Sequence, residues 1–125
     1  MDHDGTVIIM IFALIVFDII TGIIKAVQTQ SFSSGEMRGG LIRKSGTIAL
    51  VLLAYGVQYA AVQLPELPQE LGVVFDGTAL YIILMEIASV IENILVINPE
   101  LGGEKIRGIF GIGNHNDESE ETECE

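Results

Sequence analysis

Residues 46–64 read GTIALVLLAYGVQYAAVQL, nineteen positions without one charged side chain. A helix that crosses the roughly 30 Å hydrocarbon of a bilayer needs about 20 mostly apolar residues, and this run meets that length. Two further runs flank it. Residues 7–24, VIIMIFALIVFDIITGII, hold one charge, Asp18. Residues 71–91, LGVVFDGTALYIILMEIASVI, hold Asp76 near one end and Glu86 inside. The acid in the first run does not forbid insertion. Its 13 Val, Ile, Leu and Phe residues together contribute about −6 kcal/mol, against roughly +3 kcal/mol for a central Asp. The third run has 11 such residues and is the weakest. Placing it at 71–91 leaves Glu92 at a membrane boundary, whereas sliding it to 77–97 would bury both Glu86 and Glu92. The first placement costs less, and the helix is expected to continue until Asn98-Pro99 ends it.

Charge decides how the three spans are threaded. All six basic residues fall in two segments: Lys25, Arg38, Arg43 and Lys44 after the first run, and Lys105 and Arg107 after the third. Residues 1–6 and the loop at 65–69 have none. Basic residues in short loops stay cytoplasmic, so the N-terminus faces out and the C-terminus faces in. Three spans satisfy this alternation and two do not. A cleaved signal peptide would need a basic segment before the first run and small residues behind it. The chain has MDHDGT before it and Lys25-Ala26-Val27-Gln28 behind it, so the run is read as a retained span.

The expected fold is therefore an all-α membrane protein of three transmembrane helices, at about 7–24, 46–64 and 71–91, forming one membrane domain over residues 1–113. Residues 114–125 form an acidic tail. Asp117, Glu118, Glu120, Glu121, Glu123 and Glu125 supply six acids in nine residues, and without them the net charge of −11 would be −5. A like-charged block of this kind reads as disordered and solvated. Residues 31–40, SFSSGEMRGG, read as a turn-forming loop that carries part of the cytoplasmic basic group Arg38, Arg43 and Lys44. Residues 101–113 contain five glycines, which oppose a stable helix.

Composition also excludes several functions. Six basic residues against 17 acids leave no basic footprint for nucleic acid. One cysteine, Cys124, allows no internal disulfide and no cysteine-based metal site. His3 and His115 lie in opposite polar termini, so a histidine-centred catalytic or metal cluster is not expected. There is no nucleophile–base pair, no HExxH and no dinucleotide fingerprint. The stretch Gly39-Gly40-Leu41-Ile42-Arg43-Lys44-Ser45 lacks the glycine that a phosphate loop places before its lysine. No enzymatic activity and no cofactor are expected.

The polar residues inside the spans form two stripes. Asp18, Thr21, Gly22 and Lys25 share one face of the first helix by their spacings of three, four and seven. Glu86, Ser89 and Asn93 share a face of the third. Intramembrane acids are expensive and usually functional, although interhelical hydrogen bonding alone would also explain them. Both readings require the stripes to face protein or water. Among functions open to such a chain are a small ion-conducting channel or transporter subunit, with Asp18 and Glu86 as a cation path, and a membrane-anchored scaffold.

The order of these residues resembles a known family. Asp18-Ile19-Ile20-Thr21-Gly22-Ile23-Ile24-Lys25-Ala26 is followed by Ser31-Phe32-Ser33-Ser34, by Gly40-Leu41-Ile42-Arg43-Lys44, and by Glu86-Ile87-Ala88-Ser89-Val90-Ile91-Glu92-Asn93 with Pro99. This is similar to the toxin-secretion/phage-lysis holin family of small bacteriophage membrane proteins, over residues 12 to about 99. Members often carry an acid late in the second span, where this chain has Gln58-Tyr59. They often have a glycine and paired prolines after Glu-Asn, where this chain has only Pro99. The resemblance implies a multi-pass protein of the host cytoplasmic membrane that forms homo-oligomers and opens timed lesions. Its functional partner would be an endolysin, and its pore or assembly residues would include the two stripes.

The orientation has a built-in probe in Cys124. A membrane-impermeant thiol reagent should leave it unlabelled in intact cells before lysis, and labelling from outside would invert the topology.

Overall fold

The computed structural model describes residues 2–102 of the chain, and these are helical almost throughout. Helix α1 spans His3–Gln28, α2 spans Ser34–Gln63 and α3 spans Val74–Ile97. Short 3₁₀ turns cover Gln69–Val73, leading into α3, and Pro99–Gly102 behind it. At 1.5 Å per residue the three helices are about 39, 45 and 36 Å long. Each is longer than the hydrocarbon layer is thick, and each is apolar enough to cross a membrane. The acidic tail, Lys105, Arg107, His115 and Cys124 lie outside the described residues.

The helix ends follow from local chemistry. α1 closes in a Schellman arrangement: Ser31 N–H donates to the Ala26 carbonyl at 3.0 Å and Gln30 N–H to the Val27 carbonyl at 3.3 Å. The residue between these bonds takes the left-handed conformation, and here it is Gln30 at φ 55° rather than glycine,. α2 begins where the Ser33 hydroxyl accepts the Glu36 N–H at 3.1 Å, the first half of a Ser-x-x-Glu capping box. The expectation of a loop over residues 31–40 therefore needs correction. Only residues 29–33 link the two helices, and residues 34–40 form the first two turns of α2. Gly35, Gly39 and Gly40 each cost the helix roughly 1 kcal/mol. They extend a long helix already formed, so the nucleation cost is not met again, and the Ser33 cap fixes the end.

α3 continues past its apolar run to Ile97, and Asn98-Pro99 stops it,. Both of its ends are capped from other helices. The Gln58 side chain on α2 accepts the Phe75 N–H at 3.1 Å, and Gln28 on α1 donates to the Ile97 carbonyl at 3.0 Å. These bonds satisfy backbone groups that a helix cannot pair internally.

α3 is the central element. α1 lies parallel to it, their C-terminal ends tied by Gln28 and Ile97, while α2 runs antiparallel and makes few contacts with α1. The inward face of α3 is Phe75, Ala79, Ile82, Glu86, Val90 and Asn93, in steps of three or four. Phe75 is fully enclosed, with Ile11 and Ile15 of α1 and Val51 and Ala54 of α2 in the same cluster. The Tyr55 ring meets it edge to face at 5.6 Å, a favoured aromatic geometry. Outward faces carry Ile9, Val16, Phe17, Ile20, Leu52, Leu53, Leu80 and Leu84, all largely exposed. An apolar surface of this extent is far beyond what a soluble monomer shows. It is the surface of a protein solvated by lipid.

Gln30 carries a side chain in a conformation that costs an L-residue about 1–2 kcal/mol. Gln30→Gly should raise the stability of the detergent-solubilised protein by about 1 kcal/mol, read as a later midpoint in a denaturant titration.

Candidate functional site

The polar interior lies near mid-bundle, on the side toward the end where α1 and α3 finish and α2 begins. Asp18 and Glu86 retain only 6% and 4% of their surface, and Thr21 and Asn93 are equally enclosed. The sequence spacing already placed Asp18 with Thr21, and Glu86 with Asn93. The structure joins the two stripes across the α1–α3 interface. Asn93 Nδ2 donates to Asp18 Oδ1 at 3.0 Å and to the Thr21 hydroxyl oxygen at 3.1 Å. The Thr21 hydroxyl proton turns back to the Phe17 and Asp18 carbonyls at 3.0 and 3.1 Å. Gly22 sits beside this contact: a Cβ there would meet Asn93 Nδ2 at 3.7 Å, an ordinary packing distance.

The counter-charge comes from Lys44. Its Nζ lies 2.7 Å from Asp18 Oδ2, and 2.7 and 2.6 Å from Glu86 Oε1 and Oε2. One ammonium thus binds carboxylates on two different helices while belonging to the third. Its side chain is 20% exposed, so the pair of acids is sealed while the lysine closes the open edge. Charge-assisted bonds of this length are strong ones, and an unpaired charge in such a site is severely penalised. Among the described residues, no buried side-chain nitrogen or oxygen is left without a partner.

Lys44 was expected in a cytoplasmic basic loop with Arg38 and Arg43. All three instead belong to α2. Arg38 and Arg43 are exposed on its first turns, while Lys44 turns inward. A signal for this was present in the chain. Ser33-x-x-Glu36 marks an earlier helix start, and from there Lys44, Val51 and Gln58 fall seven residues apart on one face. Each touches α3 or its neighbourhood in the structure. Lys25 and Ser89 are half-buried and, among the described residues, join no part of this network.

At the opposite end, ligand atoms of His3, Asp4 and Asp76 lie within 4.8 Å of one another. Pairing the two histidines with each other missed this group, because Asp76 comes from α3. His3 and Asp76 are exposed, and contacts between solvated groups carry little energy.

A helical bundle with lipid-facing apolar walls and a concealed ionic centre defines a multi-helix membrane protein. The pattern of the bacteriophage holin family matches residues 2–107, and the chain belongs to that family. Comparison with curated proteins and with solved structures finds no match.

Asn93 is the one side chain that bonds α3 directly to Asp18. Asn93→Ala should lower bundle stability by about 1 kcal/mol, the usual scale for interhelical hydrogen bonds in membranes, as measured by denaturant titration in micelles. An unchanged midpoint would show that the contact contributes nothing.

Proposed function

We propose that this protein is a phage holin of the host cytoplasmic membrane, which accumulates as a homo-oligomer and opens lesions at a set time. Those lesions release an endolysin to the cell wall. The single observation that carries this reading is the inverted polarity of the bundle: apolar outside, ionic within. Such a molecule inserts harmlessly while its polar faces are covered. It becomes a water path when helices part and those faces line an opening.

In this reading the N-terminus is outside and the C-terminus inside, with the acidic tail in the cytoplasm. By helix spacing the Asp18–Lys44–Glu86 centre lies about 9 Å in from the Ile24 end of the first apolar run, which is the inner end in this reading. Arg38 and Arg43 would sit at the anionic inner surface, where basic side chains are favoured. Asp18, Thr21, Gly22 and Lys25, with Glu86, Ser89 and Asn93, would furnish the wall of the lesion or the contacts that assemble it. The lipid bilayer and further copies of the chain are the direct partners, and no nucleic acid is involved.

A second reading, a selective cation channel, draws on the excess of carboxylate over amine in the interior. Expression in a bacterium separates the two. A holin should stop respiration abruptly, with lysis following only when an endolysin is co-expressed. Depolarised cells that keep the endolysin trapped would favour the channel.

A further inference from the structure

Two carboxylates share one ammonium at the centre of this bundle. With all three groups ionised, Asp18, Glu86 and Lys44 carry one net negative charge between them. Few other donors serve the acids. Asn93 gives one N–H to Asp18. Among the described residues, Glu86 is bonded only by Lys44. Lys44 is also the only described side chain that bonds α2 to α1, and those two helices otherwise make few contacts. Finally, Lys44 lies two residues before the uncharged run that starts at Gly46. A rotation of its long stem can carry the ammonium out to the headgroups.

We propose that Lys44 is a positioning residue, a latch that holds α2 against α1 and α3, and that the surplus carboxylate keeps the latched state metastable. The net charge of the three groups then sets how long the closed bundle lasts. This rests on the holin reading for its biological meaning. The physical step is simple. When Lys44 leaves, two carboxylates remain without a counter-ion beside apolar side chains and lipid, where charge is least tolerated. Only water relieves them, so α2 moves off and opens the face bearing Asp18, Thr21, Glu86 and Asn93.

The signs of the variants follow from the charge count. Asp18→Asn and Glu86→Gln each leave a neutral pair and keep side-chain size and an oxygen acceptor, so both should delay opening. Lys44→Met leaves two uncompensated acids and should hasten it. The triple variant Asp18→Asn, Glu86→Gln, Lys44→Met has no charge to release and should be late again. Lys44→Arg keeps the cation and should open later than Lys44→Met. A purely structural role predicts something else: every variant weakens the bundle, and all shift the same way.

The test uses the full chain expressed in a bacterium with a co-expressed endolysin, at membrane levels matched by immunoblot. Onset of depolarisation reports the latch, and release of the endolysin reports the holin reading. Lys44→Met should shorten the onset by about twofold or more, and each single acid variant should lengthen it by a similar factor. Movement of Lys44→Met and Asp18→Asn in the same direction overturns the latch. If Lys44→Met does not accumulate, the two acid variants decide alone, and an earlier onset in either one overturns it. Depolarisation in the expected order with the endolysin retained would support the latch and refute the holin reading.

Discussion

The contact between Lys44 Nζ and the carboxylates of Asp18 and Glu86 governs how the three helices stand together. In water, apolar faces would drive α1, α2 and α3 into a bundle. In lipid that drive is absent, because acyl chains solvate leucine as well as another leucine does. What remains is close packing and polar bonding. α1 and α3 have both, through Ile11, Ile15, Phe75, Ala79 and Ile82 and through Asp18, Thr21 and Asn93. α2 has a thinner contact: Val51, Ala54 and Ala61 are its buried residues, Gln58 caps α3, and Lys44 reaches the acids. Small residues at that seam allow close approach but bury little surface. The ion pair therefore weighs more heavily in holding α2 than in holding the other two helices together.

How far the sequence revealed this differs between the fold and the site. Three spans were legible because hydrophobicity over about twenty residues is a property of composition, and residues 46–64 have no competing signal. The end of α3 was legible because proline acts locally. The start of α2 was not, since Gly35, Gly39 and Gly40 read as a turn while the overriding features were a cap at Ser33 and a long helix downstream. A reading that begins each span at its first uncharged residue leaves Lys44 outside by construction. The inward faces of α1 and α3 could be read from spacing alone, but their union could not. Asn93 meets Asp18 only because α1 and α3 pack in parallel at one register, a tertiary fact. The same holds for Gln28 and Gln58, polar residues whose roles are to cap a neighbouring helix, and for Asp76 beside His3.

A fully satisfied ionic centre is an unusual way to stabilise a membrane bundle. Well-packed apolar side chains of similar volume would often serve as well or better, because removing charges from water is costly. The three charges are better understood by what they do when separated. Asn93, Thr21 and Lys44 make the closed arrangement complete, with every buried side-chain nitrogen and oxygen among the described residues paired. An acid that loses its lysine must find another donor or water. A fully satisfied buried network of this kind specifies one arrangement, and leaving any member unpaired in a low-dielectric interior is costly.

That property suits a protein of the holin family better than either a rigid bundle or a loose one would. A rigid bundle would stay inert, and a loose one would leak as soon as it entered the membrane. The lipid-facing residues supply insertion irrespective of state, since Ile9, Val16, Leu52, Leu53, Leu80 and Leu84 lie on the exposed outer faces. Insertion and opening are thus carried by different faces of the same helices. The outer face fixes the protein in the bilayer, and the inner face holds a small number of strong, short-range bonds whose loss exposes a hydrophilic strip along α1 and α3. Helices of this length remain spanning while α2 shifts, because each exceeds the hydrocarbon thickness. The chain can therefore change its interior without leaving the membrane, and the barrier to doing so lies in the bonds of one lysine.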